Sequence, residues 1–235
     1  MIDIGLLATI AVMLTLPAVF IRPWPDDAVP TGILDLTLGA AFVGLAVGRV
    51  TALALDDPSS LTGLSDLLII RSGVEFWPGA AAGIAWLAFS AHRQQASAMR
   101  RLAALVPAGL IAWACFEATC LVRGGCPGPI SAFGLHPEGL VARMFPVGLA
   151  VAMVAFAVAM ALDKLHRRGI PDVQIVLAAA FSVGLIRSIA SIWLPKVGDG
   201  LTRQHRESIA VSVLTVSALA VARTRSHTTM RTASA

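Results

Sequence analysis

Trp113–Pro129 reads WACFEATCLVRGGCPGP. An apolar run carries through Cys115 and Phe116, meets Glu117, and breaks at Arg123 into Gly-Gly and Pro-Gly-Pro. Apolar sequence resumes at RMFP, Arg143–Pro146. A long uncharged run stopped by Gly and Pro is the pattern of a membrane helix reaching its boundary. Glu117 sits in the last turns of that run, where an ionised carboxylate costs several kcal/mol unless it is paired. Arg123 and Arg143 flank the loop as nearby partners. Acid, guanidinium and Gly-Pro backbone at one boundary suggest a polar cavity facing lipid headgroups.

The whole chain fits that setting. Of its 235 residues 57% are hydrophobic and only 14% charged, with a mean hydropathy of +0.79. Soluble domains carry roughly a quarter charged residues. Apolar runs long enough to cross about 30 Å of hydrocarbon lie near residues 4–21, 31–55, 76–91, 102–122, 145–162, 173–194 and 209–222. The expected fold is therefore an all-α integral membrane protein of about seven transmembrane helices. Residues 1–222 read as one membrane domain and 223–235 as a polar tail. The first run carries Asp3 and no Lys or Arg at its start, so it reads as a span rather than a leader peptide.

The pI of 9.6 does not point to nucleic acid, because the basic residues are spread over several loops. With the N-terminus outside and the C-terminus inside, ten Lys and Arg fall on the inner side and six on the outer. That excess obeys the positive-inside rule. The same orientation puts Cys120 and Cys126 at the outer face, where a disulfide is chemically allowed, and Cys115 deeper in a span. No C-x-x-C pair or His cluster signals a metal.

Several residues stand out along the chain. Gly44 and Gly48, preceded by Gly39, have the small-residue spacing that lets helix backbones approach closely, and Arg49 follows them. An intramembrane Arg is a functional candidate, although one near a helix end can also snorkel. Leu61, Leu64, Leu67 and Leu68 share one helical face, which predicts a short helix lying along the outer interface. Pro78 suits a helical first turn, so a helix should begin near Trp77. Its N-terminus, between Gly73 and Gly79, is a candidate anion site for a lipid phosphate, with Glu75 beside it in need of an arginine. Arg187 lies well inside apolar sequence, with Ser182, Ser188 and Ser191 at helical spacings. It must face protein, water or a phosphate, and either an acid (Asp35, Glu75 or Glu117) or a ligand can satisfy it. His166, in the basic turn LDKLHRRG, and His205, in a polar loop with a helix start near Thr202, both read as surface residues.

Taken in order, GRV (Gly48–Val50), SGVEFWPG (Ser72–Gly79), CFEATC (Cys115–Cys120), RMFP (Arg143–Pro146), LIRSIASI (Leu185–Ile192) and GLTRQHRESI (Gly200–Ile209) resemble the prolipoprotein diacylglyceryl transferase family. The resemblance covers nearly the full chain. It implies a seven-span enzyme of the bacterial plasma membrane, with its N-terminus outside. Such an enzyme moves a diacylglyceryl group from phosphatidylglycerol to a lipoprotein cysteine, without metal or other cofactor. The departures are specific. Trp77 stands where the family has a histidine, and Ala112 where it has an arginine. Val147 and Gly148 follow Phe145-Pro146 where the family goes on to Gln, Tyr and Glu, and Ser191 replaces an acid. The chain has no tyrosine. Arg49, Arg143 and Arg187 remain, and guanidinium groups suit phosphate through forked hydrogen bonds.

The expected function is binding of a phosphatidylglycerol-like lipid by Arg49, Arg143, Arg187, Gly73 and Gly79. Transfer of its diacylglyceryl group would use Glu75 or Glu117 as base. The alternative is a non-catalytic lipid-binding scaffold or a subunit of an envelope complex, with a lipoprotein or envelope protein as partner.

Overall fold

Glycine and proline decide where the helices of this chain begin and end. The computed structural model describes residues 11–13, 15–17, 33–56, 58–59, 73–122, 128–136, 141–194 and 201–233. Within them run α1 (Ile33–Asp56), α2 (Phe76–Arg93), α3 (Ala98–Ala118, continued by a 3-10 turn, Thr119–Val122), β1 (Ile130–Leu135), α4 (Val147–Arg167), α5 (Asp172–Trp193) and α6 (Arg203–Ala233). α1, α3, α4, α5 and α6 are long and apolar enough to cross a membrane, so among the described residues five such helices stand, fewer than the seven runs expected. The run near 76–91 does form α2, but Pro78, its glycines, Ser90 and the terminal His92-Arg93 dilute its apolarity. Residues 11–13 and 15–17 of the first run are helical, and the rest of it lies outside the described residues. So does most of the expected interfacial helix.

The chain divides into two compact units, residues 24–104 and residues 1–23 with 105–235. The division falls within α3, just before Pro107. A proline inside a helix has no N–H for the carbonyl four residues back, here Ala103, and so locally weakens the ladder.

In the first unit α1 packs on α2, and glycine sets how closely. A Cβ on Gly44 would come within 2.9 Å of the Gly79 carbonyl oxygen, and one on Gly79 within 2.7 Å of the Gly44 oxygen. Neither backbone can retreat, so both positions need glycine. Next to this crossing the Glu75 amide donates to the Gly48 carbonyl at 3.0 Å, pinning the chain that leads into α2.

In the second unit α5 packs on both α4 and α6. Leu110, Ile111 and Cys115 of α3 bury against Ala159 and Leu162 of α4 and Ala179 of α5, with Val12, Met13 and Leu16 completing that core. The α5–α6 contact closes on Gly184, where a Cβ would lie 2.5 Å from Ser212 Oγ. A short strand, β1, runs antiparallel to the stretch before α4, with Ser131 N donating to Arg143 O and Phe145 N to Pro129 O. Phe42, Met153 and Leu214 are mostly exposed on helix faces, the placement expected of side chains that meet lipid.

Two helix ends close in the same way. After α4 the amides of Gly169 and Ile170 return to the carbonyls of His166 and Leu165, with Gly169 at φ +83°. After α2 the amides of Gln95 and Ala96 return to His92 and Ala91, with Gln95 at φ +56°. Both are Schellman ends, and the second places a side-chain-bearing residue where glycine is usual. The Gly169 turn also corrects the reading of His166. It brings the first turn of α5 back to the end of α4, so His166 Nε2 meets Asp172 Oδ1 at 2.9 Å with its side chain 10% exposed. The tail from residue 223 is helical as the end of α6, because it holds no Gly or Pro to stop the helix.

Candidate functional site

The polar cavity expected beside Glu117 exists in the second unit. It encloses about 310 Å³ and is lined by residues of α3, α4, α5 and α6, among them Trp113, Glu117, Arg187, Ser191 and Gln204. Each polar residue arrives for a local reason. Glu117 stands one turn beyond Trp113, whose indole N–H donates to Glu117 Oε1 at 3.0 Å. Side chains four apart share a helix face, so this bond needs no tertiary help to form. Arg187 and Ser191 are likewise four apart on α5. Gln204 comes from the first turn of α6, which Thr202 caps by accepting a hydrogen bond from the His205 amide at 3.2 Å.

The floor of the cavity is tight. A Cβ on Gly148 would lie 2.9 Å from Cys120 Sγ and 3.0 Å from the Glu117 carbonyl oxygen. Cys120 is disulfide-bonded, while Cys115 is a buried free thiol, in keeping with a bridge near the boundary and a deeper unpaired cysteine. Cys126 and Arg123 lie outside the described residues.

His205 is the residue that sequence reasoning misplaced. It is 7% exposed rather than at the surface, and its Nδ1 is hydrogen-bonded to Ser191 Oγ at 2.5 Å. Ser191 Oγ also donates to the Ser188 carbonyl at 2.8 Å. The signal for this was present in the spacing. His205, Ser208 and Ser212 are three and four residues apart and all buried, which makes one inward face of α6.

The remaining candidates are distributed as follows. Arg187 and Glu117 share the cavity. Arg143 is exposed on the stretch that pairs with β1, outside the cavity lining. Arg49, Gly73, Glu75 and Gly79 belong to the first unit. There Arg49 is 4% exposed and its Nη1 donates to the Gly73 carbonyl at 3.2 Å. Glu75 is the residue before α2, without a side-chain cap bond, and α2 starts at Phe76, one residue from the expected position. Gly79 is buried against Gly44 in the helix crossing, and Trp77 packs edge-on against Phe76.

Chemically, the cavity offers a guanidinium for an anion, a carboxylate held by an indole, and a hydroxyl–imidazole pair able to pass a proton. No protein-family model and no curated protein matches the chain.

Proposed function

We propose that this chain is a divergent relative of the prolipoprotein diacylglyceryl transferases, and that its cavity binds the headgroup of an anionic glycerophospholipid such as phosphatidylglycerol. The observation that carries the reading is the placing of Arg187 and Glu117 on one cavity at the α3 boundary. A guanidinium recognises phosphate through two parallel charge-assisted hydrogen bonds. Glu117, oriented by Trp113, stands ready to accept a proton or a glycerol hydroxyl. In a transfer, the thiol of a lipoprotein cysteine gives its proton to a base. Its sulfur then bonds the glycerol carbon, and the carbon–oxygen bond to phosphate breaks. Arg187 takes up the charge of the departing glycerol phosphate. Glu117 is the base nearest to that chemistry, and His205 behind Ser191 is the group that carries the proton onward. The same reading places the protein in a bacterial plasma membrane, the N-terminus outside.

The test is native mass spectrometry of the full chain purified in mild detergent, followed by a transfer assay with a lipoprotein signal peptide. Wild type is expected to retain phosphatidylglycerol. Arg187→Ala should lose it by about tenfold, the equivalent of one charge-assisted contact. Equal retention by a folded Arg187→Ala protein would sink the reading. The second reading, a non-catalytic lipid-binding scaffold, is favoured by Trp77 and Ala112 in place of the family's histidine and arginine. It expects retention of the lipid with no transfer.

A further inference from the structure

The turn that joins α2 to α3, in the first unit, holds a buried cation. Arg101 is 2% exposed. Its Nη2 donates to Gln94 Oε1 at 2.8 Å, while Nε and Nη1 are buried without a hydrogen-bond partner. Among the described residues no carboxylate pairs with it. A buried guanidinium left this way keeps its desolvation cost with nothing to offset it.

The direction of the side chain shows what could offset it. Helical side chains lean towards the N-terminus of their helix. The bond to Gln94, in the turn itself, places the Arg101 guanidinium level with the start of α3. There Ser97 Oγ accepts from the Arg100 amide, and the Arg101 amide donates to Ser97 O. The amides of Ala98 and Met99 have no acceptor among the described residues. So the positive end of a 21-residue helix, two amides without an acceptor among the described residues and the buried Arg101 guanidinium lie at one turn. Arg93 and Arg100, both exposed, add positive charge near it in sequence.

We propose that this turn is a second anion site, independent of the Arg187 cavity, and that it takes a phosphate group, either the phosphodiester of an anionic lipid or phosphate free in solution. Phosphate is the fitting chemistry. Its oxygens accept from helix-terminal amides and from a forked guanidinium at once. Basic residues at a helix end already draw anionic lipid to the membrane surface.

The experiment uses full-length protein carrying Arg187→Ala, so that lipid in the cavity is not counted. Delipidated protein is titrated with phosphatidylglycerol, phosphatidylcholine or inorganic phosphate, reading lipid adducts by native mass spectrometry and the unfolding midpoint. Preferential retention of phosphatidylglycerol is expected, reduced about tenfold by Arg101→Met and changed less than about twofold by Arg93→Gln. A midpoint raised by inorganic phosphate without lipid retention supports the site with a soluble ligand. Should Arg101→Met fail to fold by circular dichroism, Gln94→Ala removes only the exposed residue that holds Arg101, and a several-fold loss is expected. Two results overturn the proposal. One is equal retention of both lipids with no effect of phosphate. The other is a folded Arg101→Met or Gln94→Ala protein that binds like its parent.

Discussion

His205 and Ser191 show how much of a site depends on a single contact. Ser191 Oγ already donates to the Ser188 carbonyl, so replacing His205 does not orphan the hydroxyl. His205→Ala should therefore cost mainly the cavity it leaves, about 1–3 kcal/mol, and leave lipid retention near that of wild type. If the imidazole carries a proton, transfer activity falls by about 10²-fold or more in the same variant. A variant that loses retention and activity together would assign His205 a structural role only. Trp113 bears on Glu117 in a similar way. Its indole N–H makes a bond that orients the carboxylate, a partner that the sequence reading did not name.

At the scale of elements, the two Schellman ends make a controlled comparison. Gly169 meets its positive φ without cost, whereas Gln95 at φ +56° brings its Cβ close to the following carbonyl. Gln95→Gly should stabilise the protein by about 1 kcal/mol, after the larger backbone entropy of glycine in the unfolded chain is set against the relief. A thermal midpoint in detergent that fails to rise would show that the turn is held by something other than its own backbone preference. The α1–α2 crossing tests the opposite case. Gly44→Leu drives a side chain into the Gly79 carbonyl, so the helices must separate, and loss of the folded fraction is expected. The close approach was legible from the Gly44–Gly48 spacing. That α2 supplies the other half through Gly79 was not, because a spacing names a face and not its partner.

At the scale of the whole molecule, the disulfide at Cys120 reports on compartment. The chain has three cysteines, of which Cys115 is a buried free thiol. Denatured, unreduced protein isolated from its membrane should take up one alkyl group by intact mass, and three after reduction. Three before reduction would place the Cys120 boundary on the reducing side and reverse the proposed orientation. The membrane class, the positions of α1 and α3 to α6, a helix start near Thr202 and a cavity beside Glu117 were all readable in advance. They depend on local chemistry: uninterrupted apolar length, Gly and Pro at helix ends, and an acid stranded in apolar sequence. The inward turn of His205, the His166–Asp172 pair and the burial of Arg101 were not readable. Each depends on how the chain turns after α2 or on which surfaces meet across α4–α5 or α5–α6. Apolar periodicity specifies that a helix face is buried, and only packing selects the polar group opposite it.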